Sequence, residues 1–147
     1  MRVVLDTSVF VAGILNLNSG SGELLRLWRE DALFEVIASN QVFEELYETL
    51  RKPRLQGRFS VGEPEKAVSS LRNMAEFWAD DKQPPNVTRD LNDDYLVSLS
   101  ISSGADALVS LDQDLLVLQR LNSIDGKTIP VLKPGDLLSW LRDARLL

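Results

Sequence analysis

Short apolar runs alternate with amphipathic stretches along the whole chain. Val3-Val4-Leu5 makes residues 2–5 a buried strand, and a helix is predicted from Ser8 to Leu15. "NLNSGSG" is a turn-rich break, and "ELLRLWRED" repeats at helical spacing. Residues 33–39, "LFEVIAS", form a second strand pattern. "NQVFEELYETLRK" is a helix with Asn40 as its N-cap, stopped by Pro53. "EPEKAVSSLRNMAEFWAD" predicts a longer helix with Pro64 near its start. After the loop "DKQPPNVTRD", "NDDYLVSLSISSG" predicts a helix closing on Gly104. Residues 105–111 are a third strand, "QDLLVLQRL" a short helix, "KTIPVL" a strand and "KPGDLLSWLRDARL" a terminal helix.

This alternation predicts one domain over residues 1–147: a three-layer α/β/α arrangement around a mostly parallel sheet of about five strands. A domain of 147 residues buries about two-thirds of its unfolded surface. No apolar run approaches the roughly 20 residues of a membrane span, and the N-terminal stretch lacks a signal-peptide layout. A cytoplasmic location without membrane association is the expectation. Trp28, Trp78 and Trp140 read as packing residues.

In such sheets ligands gather beyond the carboxyl ends of the strands. The acids placed there, or in the first turn of a helix, are Asp6, Asp90, Asp93, Asp94, Asp112 and Asp114. Asp6 follows "VVL" and is placed either to cap a helix or to hold something positive. On a wheel of 100° per residue, Asp93 falls between Leu96 and Val97 on the inward arc, in line with Ser100 and Gly104, and Asp94 points away. Asp112 and Asp114 are placed as N-cap and first-turn acids, but in a parallel sheet Asp112 leaves the same edge as Asp6. Glu44 and Glu45 flank the apolar arc of their helix equally, so periodicity does not choose between them.

Composition narrows the chemistry. The chain has no cysteine and no histidine. That excludes thiolate and Ser-His-Asp nucleophiles and histidine-ligated metals. What remains is carboxylates, hydroxyls, Lys and Tyr. Two carboxylates about 4 Å apart repel by roughly 4 kcal/mol at an effective dielectric near 20, and a divalent cation relieves this. An oxygen-only ligand set suits Mg²⁺ or Mn²⁺, ions that serve phosphodiester chemistry. The net charge of −6 argues against non-specific nucleic-acid binding. Its distribution matters more: Arg51, Lys52, Arg54 and Arg58 form an acid-free basic segment, and Arg89 precedes the Asp90–Asp94 cluster. These are the candidate contacts to a phosphate backbone.

The segments "VVLDTSVFVAG", "SNQVFEELYETLRKPRL", "VTRDLNDDYLVSLSISSGADALVSLDQDLL" and "IPVLKPGDLLSWL" are each degenerate, but their order and spacing are specific. Together they resemble the PIN-domain ribonucleases, most closely the VapC-like branch of toxin components of type II toxin–antitoxin systems. The resemblance places the family's four acids on Asp6, Glu45, Asp93 and Asp112, with Asp114 as an accessory acid and Asp106 as a structural one. It implies a Mg²⁺- or Mn²⁺-dependent endoribonuclease, with an RNA substrate, a cognate antitoxin and a homodimer or higher homo-oligomer. Thr7 and Ser8 are expected to support Asp6. Ser110 and Leu111 depart from a common Thr and a small or polar residue, and Ser100 from a common Ala. The alternatives are a phospho-accepting receiver-like module, with Asp112 and Lys127 or Lys133 in its key roles, and a non-catalytic PIN-like binding module.

Overall fold

A computed structural model describes residues 1–80 and 94–147. Val3, Val4 and Leu5 are fully buried in β1 (Arg2–Leu5), the central strand of the sheet. A strand covered on both faces is a continuous apolar run, not an alternating one. β2 (Glu35–Ala38) and β4 (Ala107–Val109) flank β1, both parallel to it. β3 (Glu76–Phe77) extends the sheet beyond β2. On the other side β6 (Thr128–Leu132) pairs parallel with β4, and β5 (Arg120–Asn122) closes that edge antiparallel to β6. Among the described residues the sheet therefore has six strands in the order β3-β2-β1-β4-β6-β5.

Helices cover both faces and give the three-layer α/β/α arrangement expected from the alternation. They are α1 (Thr7–Leu15), α2 (Gly20–Arg29), α3 (Asn40–Leu50), α4 (Pro53–Gln56), α5 (Glu63–Met74), α6 (Asp94–Ser103), α7 (Gln113–Leu116) and α8 (Pro134–Asp143). Phe10 of α1 meets Trp28 of α2 edge-on at 6.3 Å and lies 6.4 Å from Phe43 of α3. Trp28 is thus a core residue, whereas Trp140 is 36% exposed.

Three local expectations are corrected. The long helix predicted through Phe77 and Trp78 stops at Met74. Glu76 and Phe77 instead pair with Ile37 and Ala38, and the Trp78 N–H donates to the Ala38 carbonyl (2.9 Å). Arg2 holds Glu76 from β1 and donates also to the Ser103 carbonyl. Sheet pairing thus outcompetes helix propensity at this edge. The helix predicted from Gln113 through Leu121 ends at Leu116. Arg120–Asn122 turn into a hairpin with β6, reversed at Gly126 with φ +85°. Leu118 and Leu121 stand three apart, a helical spacing, so the pattern alone carries the helix on through this segment. Finally, α6 is buried almost all round, including Asp94, Leu96, Ser98 and Ser100. Wheel reasoning needs a solvated face, so it loses its basis there: Asp94, read as pointing away from the core, is 3% exposed.

The approach of α2 to the turn before it depends on Gly22. A Cβ at this position would meet the Leu17 carbonyl oxygen at 2.4 Å and the Asn16 carbonyl oxygen at 2.6 Å. Gly22→Ala gains about 1 kcal/mol of helix propensity, but both obstacles are backbone and cannot swing aside. Overpacking of this kind costs about 1–3 kcal/mol. Gly22→Ala is expected to lower the urea midpoint with m unchanged.

Candidate active site

The strand order reverses between β1 and β4: β2 and β3 lie on one side, β6 and β5 on the other. Such a switch point opens a crevice at the carboxyl ends of the two strands. Leu5 pairs with Val109, and the Asp6 N–H donates to the Val109 carbonyl (2.9 Å). The residues that leave the sheet here are Asp6 and Ser110.

Asp6 occupies the N-cap position of α1, and its carbonyl accepts from the Val9 N–H (2.9 Å). Its side chain makes no cap. Instead Oδ2 accepts from Ser8 Oγ (2.9 Å) and Ser110 Oγ (2.6 Å). Each serine is fixed in turn by the β4–α7 connection. The Leu111 N–H donates to Ser8 Oγ (3.2 Å) and the Asp112 N–H to Ser110 Oγ (2.9 Å). The Ser110 departure therefore keeps a working hydroxyl. Asp112 does cap: its Oδ1 accepts from the Asp114 N–H (2.9 Å) at the start of α7. Asp106 sits at the opposite edge, bonded to the Arg2 N–H (2.7 Å) and to Lys127 Nζ (2.6 Å), in agreement with a structural role.

The two glutamates left open on α3 differ in their surroundings. Glu44 and Glu48 are exposed, and Glu45 is half-buried. Glu45 Oε2 accepts from Thr7 Oγ1 (3.0 Å) and from the Tyr95 hydroxyl. Thr7 thus supports Glu45, and Ser8 supports Asp6. Sequence reasoning missed Tyr95, which is 4% exposed in the first turn of α6. A tyrosine beside the acidic cluster, in a helix otherwise apolar or small, was the available signal.

An open groove of about 710 Å³ is lined by Asp6, Thr7, Ser8, Glu45, Glu48 and Asp112, with Lys52 and Arg54 on its rim. Of the basic residues singled out, these two are the ones among the described residues that line it. Arg51 stacks over the Tyr47 ring at 5.0 Å, and Arg58 is exposed away from the groove lining. Asp114 does not line it either. Asp93, Asp90 and Arg89 lie outside the described residues. Among the described residues, no three of His, Cys, Asp and Glu close into a ready metal-binding group. Burial pushes the Asp6 carboxyl above its ordinary range. The Ser110 and Ser8 hydroxyls oppose that shift, and the charges of Glu45 and Asp112 reinforce it.

Residues 2–114 match the PIN domain. The chain belongs to the PIN-domain family. No curated protein matches it. Among solved structures it is similar to PAE2754 from Pyrobaculum aerophilum, at 16% identity and TM-score 0.62, over 97% of this chain and 90% of that one. It is similar to VapBC2 from Rickettsia felis bound to a DNA fragment from their promoter, at 16% identity and TM-score 0.51, over 76% and 89%. It is likewise similar to the sarcin-ricin loop cleaving toxin VapC20 of Mycobacterium tuberculosis, at 16% identity and TM-score 0.52, over 76% and 91%. These likenesses show a shared fold, and family membership supports a nuclease. The receiver-like alternative is set aside: this is a PIN domain, and Lys127 is engaged at the edge remote from Asp112. Among the described residues no helix is long and apolar enough to cross a membrane.

The electrostatics of the PIN site have a testable sign. The folded-state pKa of Asp6 lies above its unfolded value of 3.8. Ionised Asp6 therefore destabilises the fold, and stability present below that value is lost as pH rises through the folded pKa. In chelator at pH 7, Asp6→Asn is expected to melt higher than the wild type by on the order of a few degrees, with the gap closing toward pH 4. The check is a pair of calorimetric scans at the two pH values.

Proposed function

We propose that this PIN domain, spanning residues 1–147, is a metal-dependent endoribonuclease and the toxin of a toxin–antitoxin pair. The observation that carries the reading is the convergence of Asp6, Asp112 and Glu45 on one groove at the switch point, rimmed by Lys52 and Arg54. Similarity to the sarcin-ricin loop cleaving toxin VapC20 supports RNA as substrate, and similarity to VapBC2 supports an antitoxin partner. A homo-oligomer and a cytoplasmic location belong to the same proposal.

The donor set fits a hard divalent cation. It is carboxylate oxygen only, and burial, reinforced by the charges of Glu45 and Asp112, pushes Asp6 toward protonation, a cost that a bound cation relieves. Asp6, Glu45 and Asp112, with Asp93 as the fourth family acid and Asp114 as an accessory one, are the residues proposed to hold Mg²⁺ or Mn²⁺. When bound, such an ion lowers the pKa of water and offsets charge on phosphate oxygens. The protein's part is placement. Ser8 and Ser110 fix one oxygen of Asp6, and the capped Asp112 is fixed by the first turn of α7. Lys52 and Arg54 hold the RNA phosphates flanking the scissile bond.

Cleavage of total RNA in Mg²⁺ or Mn²⁺ tests the assignment. Asp6→Asn and Asp112→Asn are each expected to lower the rate by about 100-fold or more, the upper end of what even supporting residues cost. Undiminished cleavage by folded variants overturns it. The rim makes a separate claim. Lys52→Ala and Arg54→Ala should each weaken RNA binding and reduce the salt slope by about one, while Arg58→Ala leaves both unchanged. Filter binding across a salt series reads this directly.

A further inference from the structure

We propose that Tyr95 is a positioning residue for Glu45: with Thr7 it fixes one oxygen of the carboxylate, so that Glu45 meets a cation through the other oxygen and in one orientation. The inference rests on the metal-dependent reading above.

The geometry is specific. Thr7 Oγ1 and the Tyr95 hydroxyl both donate to Oε2 of Glu45, and neither bonds Oε1. Hydrogen bonds to a carboxylate are stronger than neutral ones and hold their acceptor in place. The donors come from different elements. Thr7 opens α1 and Tyr95 lies in the first turn of α6, so a side chain from α3 is held from two directions. A glutamate has three side-chain torsions, and without such a clamp its head group samples many positions at a groove wall.

The tyrosine is costly unless the hydroxyl has this task. Tyr95 is 4% exposed, and a buried hydroxyl must find a partner. Phenylalanine would fill the same volume without that demand. The hydroxyl instead reaches across to a groove-lining acid. It also brings the N-terminal turn of α6 against α3. The same arrangement recurs at Asp6, where Ser8 and Ser110 share Oδ2. Two of the groove carboxylates, Asp6 and Glu45, are therefore each gripped on one oxygen by two hydroxyls.

Tyr95→Phe removes one oxygen and keeps the ring. Partners that orient a ligand typically contribute ten- to hundred-fold in affinity or activity. Mn²⁺ titration calorimetry of the metal-free protein should show about tenfold weaker binding for Tyr95→Phe. kcat for RNA should fall with KM unchanged. In a Glu45→Gln background the same substitution should change Mn²⁺ binding no further. Wild-type affinity in Tyr95→Phe overturns the inference, whether or not its melting temperature falls. So does a loss of equal size with and without Glu45. A wild-type protein that neither binds Mn²⁺ nor cleaves RNA overturns the underlying reading instead. Thr7→Val supplies the second arm: it should mimic Tyr95→Phe, and wild-type Mn²⁺ affinity there equally counts against the clamp.

Discussion

The β1–β4 pairing is the constraint on which the site depends. Its last rung is the bond from the Asp6 N–H to the Val109 carbonyl. That single backbone contact sets Asp6 beside Ser110 and directs the β4–α7 connection over α1. A slip of one residue in this pairing would turn every side chain of β4 to the other face. The apolar runs of both strands are fully buried, so such a slip has no compensating contacts. The register is thus secured by the core, and the positions of the acids follow from it.

The same arrangement carries a cost that the chain meets with hydroxyls. A carboxylate as buried as Asp6, near two others, is unfavourable in the ionised form. Lys or Arg partners inside the pocket would relieve it and would also cancel the negative field needed to attract a cation. Serine, threonine and tyrosine offer hydrogen bonds without a countercharge. Lys52 and Arg54 stay on the rim, where they attract phosphate without neutralising the centre.

Much of this was legible from residue order. Strand positions β1, β2, β4 and β6 followed from short apolar runs, and Asp6 and Asp112 from their places at strand ends. The choice between Glu44 and Glu45 was not legible from periodicity, because α3 presents both at equal angles. The two are separated by contacts from α1 and α6, which the periodicity of α3 does not contain. Tyr95 was hidden for the same reason: its partner is 50 positions away. The wheel misjudged Asp94 because α6 has almost no solvent side, and β3 and β5, two and three residues long, are too short to show a strand period. The basic segment split by geometry: only Lys52 and Arg54 face the groove.

Asp6 and Ser110 stand 104 positions apart, yet share one hydrogen bond. During synthesis at about 5–20 residues per second, roughly five to twenty seconds separate their emergence. Through that interval β1, the core strand of the finished sheet, has no β4 beside it. The Asp112 wall of the groove and the Ser110 bond to Asp6 are therefore absent until most of the polypeptide has been made.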